Sequence, residues 1–176
     1  MRRPRFSVSR LLPLATLLVV AAAPVFAQDD GSVVVDDLPP PVAEATWCAE
    51  DGPGFATRRA FAGRVVFAVQ CPGNNANFIQ AVVVADDEAG THARAIVFPT
   101  PDPANPDFPN DALSNIRWLD HDELSDLFVD PEETDGPCRH EGRWRLGGEP
   151  VTATLLFWRE TRDCDGKGGW VVRFGG

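Results

Sequence analysis

Apolar and polar positions divide this chain into short segments rather than long periodic ones. Val65-Val66-Phe67-Ala68-Val69 lies within Ala60 to Gln70, and Ile79, Val82, Val83 and Val84 lie within Phe78 to Ala85. Ile96-Val97-Phe98 closes Ala93 to Phe98. These runs are rich in β-branched and aromatic residues and are bounded by turn residues, which predicts three strands in a meander. Cys71-Pro72-Gly73-Asn74-Asn75-Ala76-Asn77 and Asp86-Asp87-Glu88-Ala89-Gly90 supply its turns. Pro99, Pro101, Pro103, Pro106 and Pro109 make Pro99 to Asp111 an extended surface connector, because proline fixes φ and removes a donor. Strand patterns then return in His140 to Leu146, Val151 to Glu160 and Trp170 to Phe174, with Gly147-Gly148 and Gly166 to Gly169 as turns.

Asp120 to Val129 reads as a helix. Asp120 and Glu123 have capping-box spacing, with aspartate in the cap role. Leu124, Leu127 and Phe128 share one helical face, and Asp130-Pro131 ends the segment. The expected fold is therefore mainly β: an antiparallel β-sandwich or open barrel of about six or seven strands with one short α-helix.

The amino terminus carries a different pattern. Arg2, Arg3, Arg5 and Arg10 precede Leu11 to Val25, which is apolar but for Pro13, Thr16 and Pro24, and Val25-Phe26-Ala27 follows. Positive head, short apolar core and small-residue exit predict a signal peptide over 1–27, cleaved after Ala27. A membrane span needs about 20 apolar residues; this run is shorter and ends in Gln28-Asp29-Asp30. Arg2-Arg3 lacks the preceding serine or threonine of a twin-arginine signal, which favours the general secretory route. Residues 28–44, with Asp36-Asp37-Leu38-Pro39-Pro40-Pro41, read as a flexible acidic and proline-rich arm. Residues 45–176 read as one β-rich domain, and the expected location is periplasmic or secreted, with no membrane anchor after cleavage.

Charge and sulfur narrow the picture. The chain has 16 basic and 26 acidic residues; loss of four leader arginines leaves 12 basic residues and a net charge of −14. Such a field keeps a protein soluble, repels nucleic acid and anionic lipid, and attracts cationic partners. Cys48, Cys71, Cys138 and Cys164 are an even set in an exported chain, which predicts two disulfides. Of the three connectivities, Cys48–Cys71 and Cys138–Cys164 close two local loops of similar size, each worth about 3 kcal/mol in the chain-entropy account. Cys138-Arg139-His140 with Cys164 lacks the paired knuckle of a zinc site. Asp163-Cys164-Asp165-Gly166 lacks the remaining ligands of a calcium loop. No metal or cofactor is expected.

No nucleophile elbow, zinc-protease helix, phosphate loop or dinucleotide fingerprint occurs, and His92, His121 and His140 are the only histidines. No catalytic residue is assigned. Trp144, Trp158 and Trp170 recur one per strand. They are candidates for a carbohydrate- or peptide-binding surface, against core packing as the commoner fate.

From about Ala45 to Phe174 the chain resembles the carboxyl-terminal half of a family of secreted bacterial proteins classed as a domain of unknown function, the 1176 family. The motifs are Val65-Val66-Phe67 leading into Cys71 to Asn77, Phe98-Pro99 with its prolines, and Asn115…Leu119…Leu124…Phe128. Cys138, Trp144 near Gly147-Gly148, Asp163-Cys164-Asp165-Gly166 and Trp170 complete them, while Arg139 stands where the pattern has glycine. The resemblance implies export and brings no catalytic residues.

The leading expectation is an exported, non-enzymatic interaction domain of unknown specificity in the bacterial periplasm, with a cationic protein or an envelope component as partner and no nucleic acid. Competing readings are an inhibitor of a cationic cell-wall hydrolase such as lysozyme, captured by electrostatic steering, and a carbohydrate-active envelope protein using a carboxylate pair near the tryptophans. N-terminal sequencing of exported protein is expected to begin at Gln28; exported material retaining Met1 would refute the leader.

Overall fold

The computed structural model describes residues 31–73, 77–101, 111–130, 137–164 and 168–175. The expected signal peptide, 1–27, lies outside the described residues, as do most of the proline connector and parts of the turns after Cys71 and Cys164. Two antiparallel sheets make up the fold. The first holds β1 (Val33–Val35), β2 (Ala56–Phe61), β3 (Arg64–Gln70), β4 (Ile79–Ala85) and β5 (Arg94–Ala95) in sequence order, with β6 (Ala112–Ser114) also paired to β4. The second holds β7 (Arg117–Trp118), β8 (Glu123–Val129), β9 (Arg139–Gly147), β10 (Thr152–Thr161) and β11 (Val171–Phe174), each beside its sequence neighbour. The mainly β, antiparallel class with one short helix is as the sequence predicts, and neither sheet closes into a barrel.

The helix is in a different place. Residues 123–129 form β8, seven residues paired in continuous register with β9 from Glu123↔Arg145 to Val129↔Arg139. Leu124, Leu127 and Phe128 satisfy helical spacing, but Leu124, Asp126 and Phe128 also satisfy the strand period. Pairing with β9 and burial of Leu124 between the sheets decide the outcome. Glu123 is not a cap partner: its carbonyl accepts the N–H groups of Leu119 and Asp120 in the β7–β8 turn.

The one helix described, α1 (Pro40–Glu44), lies in the stretch read as a flexible arm. Prolines suit the first turn of a helix, where no N–H is needed, and Pro39 O accepts the N–H groups of Val42 and Ala43. Val42 is fully buried with Phe67, Val69 and Val83, and β1 pairs with β2. Folded structure therefore begins well before Ala45. This cover explains why β3 and β4 are continuously apolar: Val66, Val82 and Val84 face the second sheet, while Phe67, Val69 and Val83 face α1.

The main core lies between the sheets. Phe61, Val66, Val82, Val84, Ile96 and Phe98 meet Leu124, Trp144, Leu146 and Trp158. Trp144 is fully buried, edge-on to Phe98 and Trp158, and its indole N–H donates to Pro99 O at 2.8 Å. The indole folds back over Gly142, two residues earlier on the same face; a Cβ there would come within 2.6 Å of Cζ3.

Two asparagines join the sheets along the part of β8 that β7 does not reach. Asn77 Nδ2 donates to Val129 O at 2.7 Å and its Oδ1 accepts Val129 N–H at 3.0 Å, as a neighbouring strand would. Asn115 Nδ2 donates to Leu127 O and to Asn77 Oδ1, while its own Oδ1 accepts Phe78 N–H. Its φ of 51° is left-handed, a conformation asparagine tolerates better than most residues.

Disulfides join Cys48 to Cys71 and Cys138 to Cys164, with Cα separations of 5.7 and 5.6 Å, the pairing expected from sequence. Two such bonds point to an oxidising, extracytoplasmic location. Among the described residues no helix is long and apolar enough to cross a membrane.

In the β4–β5 turn, Asp87 accepts the N–H groups of Ala89 and Thr91 and the Thr91 hydroxyl. Thr91, through its N–H first and then its hydroxyl, holds the Asp87 carboxyl below the ordinary aspartate range. A depressed folded pKa gives a contribution that is complete above the unfolded pKa and lost as pH falls through the folded one. The Thr91 amide resonance is accordingly expected to titrate below the usual aspartate range, and Asp87→Asn to abolish that titration.

Gly142→Ala is expected to displace Trp144 and lower stability by about 3 kcal/mol. Asn77→Ala strands the Val129 backbone and is expected to cost about 2 kcal/mol. Denaturant unfolding monitored by tryptophan fluorescence measures both; an unchanged midpoint in either variant contradicts the packing described.

Candidate binding face

Strand alternation sends the residues of β9 to opposite sides of the second sheet. Trp144 and Leu146 point into the core, so Arg139, Glu141, Arg143 and Arg145 point outward. Register extends this outer face across the neighbouring strands. Arg117, Ser125, Arg143 and Phe157 form one row, and Leu127, Glu141 and Arg159 the next. Glu123, Arg145 and Thr154 form a third, and Val129, Arg139 and Thr161 a fourth. Five arginines (117, 139, 143, 145 and 159) share the face with Glu123 and Glu141, an excess of three positive charges on a chain whose net charge is −10.

The arginines are held in place by acids and rings. Glu141 accepts from Arg159 Nε at 2.7 Å and Arg143 Nη2 at 3.1 Å. Arg145 pairs with Glu123 and lies 3.6 Å from Asp122; the Glu123 hydrogen bond, then its charge, raises the Arg145 pKa above the ordinary arginine value. Trp170, just before β11, lies under the guanidinium groups of Arg159 and Arg139, 4.4 and 5.5 Å from its ring centre. Phe157 receives Arg143 at 5.2 Å and Arg159 at 5.9 Å. Arg139 makes no ion pair among the described residues, and its Nε–H is buried without an acceptor. Arg143 and Arg145 side chains remain 46% and 53% exposed. The arrangement presents planar cationic forks beside aromatic surface, chemistry suited to carboxylate or phosphate groups.

The three tryptophans do not form one surface. Trp144 and Trp158 point inward and are buried, because each occupies a core-facing position of its strand. Trp170 alone lies on the outer side, with the arginines. The clue to this face was present in Arg139-His140-Glu141-Gly142-Arg143-Trp144-Arg145, where charged residues alternate with core residues at period two.

The histidines sit apart from one another. His140 is stacked between Phe128 and Trp158, with centroids 4.9 and 4.5 Å away, and its Nε2 lies 3.4 Å from buried Asp126 Oδ2. Asp126 also accepts Gly142 N–H at 2.9 Å. No hydroxyl or thiol bonds to this pair among the described residues. His92 pairs with Asp86 in the exposed β4–β5 turn, and His121 packs against Phe61. Among the described residues no group of three or more His, Cys, Asp or Glu is placed to hold a metal ion.

A double-mutant cycle on Arg159→Met and Trp170→Ala is expected to return about 0.5–1 kcal/mol of coupling in denaturant unfolding; strict additivity would show that the guanidinium–indole contact contributes nothing. The chain matches no protein-family model, no curated protein and no solved structure.

Proposed function

We propose that this chain is an exported, non-enzymatic binding domain that meets its partner on the arginine-bearing outer face of the second sheet. One observation carries the reading: an acidic protein gathers five arginines, Trp170 and Phe157 on one sheet face. The two disulfides and the leader-like pattern of residues 1–27 support export. The motifs that resemble the secreted 1176 family are in keeping with the same compartment. Of the two partner classes expected from sequence, this face favours an envelope component bearing negative charge over a cationic protein.

Isolated envelope fragments test the proposal. The disulfide-bonded protein is expected to be retained on them at low salt. The Arg117→Gln/Arg143→Gln variant is expected to lose at least four-fifths of that retention, roughly the effect of removing two interfacial charges. Equal retention of variant and parent, with both folded by near-UV circular dichroism, would refute this face as the binding surface.

A further inference from the structure

We infer that the outer face of the second sheet binds a linear polysaccharide carrying carboxylates on its sugar rings. This rests on the reading of that face as the binding surface and names the ligand's chemistry.

Shape and charge spacing point the same way. Arg139, Glu141, Arg143 and Arg145 run along β9 with one residue between each. At a rise of about 3.4 Å per residue the line is roughly 20 Å long; its arginines stand about 14 Å (Arg139 to Arg143) and about 7 Å (Arg143 to Arg145) apart, with the acid Glu141 between the first two. A small anion would engage one fork of this line, whereas an extended polymer reaches Arg139, Arg143 and Arg145 together. Each guanidinium can grip a carboxylate through two parallel hydrogen bonds. Arg139 has no carboxylate partner among the described residues, and its guanidinium lies over Trp170. Phe157 and Trp170 lie beside these forks and supply apolar surface for the C–H faces of sugar rings.

Other polyanions fit less well. Double-stranded DNA presents about one charge per 1.7 Å. This face carries an excess of only three positive charges, is interrupted by Glu123 and Glu141, and belongs to a chain of net charge −10. A sparsely charged chain matches that interleaving and meets less repulsion from the rest of the protein. An acidic peptide binds best where it can add main-chain hydrogen bonds at a sheet edge. Here β9 is paired on both sides, by β8 and β10, so its backbone offers none.

The test titrates the exported, disulfide-bonded protein with polygalacturonate, dextran, polyglutamate and single-stranded DNA. Polygalacturonate is expected to bind, and to weaken about tenfold between 50 and 200 mM salt; dextran is expected not to bind. Arg139→Gln/Arg143→Gln is expected to weaken polygalacturonate at least tenfold. Glu141→Gln, which removes an acid and frees Arg143 and Arg159, is expected to tighten it about threefold, an effect that misfolding does not mimic. Polyglutamate or DNA binding as tightly as polygalacturonate overturns the inference, as does an arginine variant that binds like the parent. If envelope retention depends on the arginines while polygalacturonate is ignored, the polysaccharide inference falls and the binding-face reading stands. If retention is also indifferent to the arginines, both fall.

Discussion

Burial of Trp144 between the two sheets is the constraint around which the rest is arranged. Its indole needs a floor without a Cβ, which Gly142 provides, and an acceptor for its N–H, which Pro99 provides where the chain leaves β5. Phe98 and Trp158 close its edges. One residue thereby links β9, β10 and the segment that follows β5 in the first sheet. The Asn77–Asn115 pair does the complementary job with polar groups, finishing the β8 ladder where β7 stops. The sandwich is thus held by apolar contact in its middle and by amide hydrogen bonds at one margin, where unpaired backbone groups would otherwise be costly.

The arginine-bearing outer face follows from the same constraint. Once Trp144 and Leu146 point inward, residues 139, 141, 143 and 145 must point outward, and β8 and β10 set their residues in rows beside them. Arginine suits such a face because its stem covers the sheet while its planar head lies on Trp170 or Phe157. Glu141, largely buried between Arg143 and Arg159, fixes the spacing of those heads.

Segregation of charge gives the molecule a polarity that its net charge conceals. Asp86 and Glu88 of the β4–β5 turn and Glu149 of the β9–β10 turn pair with Arg58 and Arg64 of the first sheet and with His92. The second sheet's outer face carries the opposite sign. For the proposed anionic ligand, such a field would supply orientation more than overall attraction.

By itself the sequence determined the class and the strands β3, β4, β9 and β10, and it favoured the disulfide pairing that the structure has. Short β-branched runs between turns have few alternatives, and each cysteine has a partner one hairpin away. Tertiary structure decided three things that local pattern left open. Leu124, Leu127 and Phe128 meet helical spacing, yet residues 123–129 became a strand because β9 supplied a ladder and the inter-sheet space needed Leu124. Proline-rich residues near 40 became structure because Val42 found a pocket over Phe67, Val69 and Val83, a long-range contact that composition does not encode. The tryptophans parted company because strand direction sends a side chain in or out, and only the position of the second sheet distinguishes inside from outside. Period two was legible in residues 139–145; which half of it faced solvent was a property of the folded molecule.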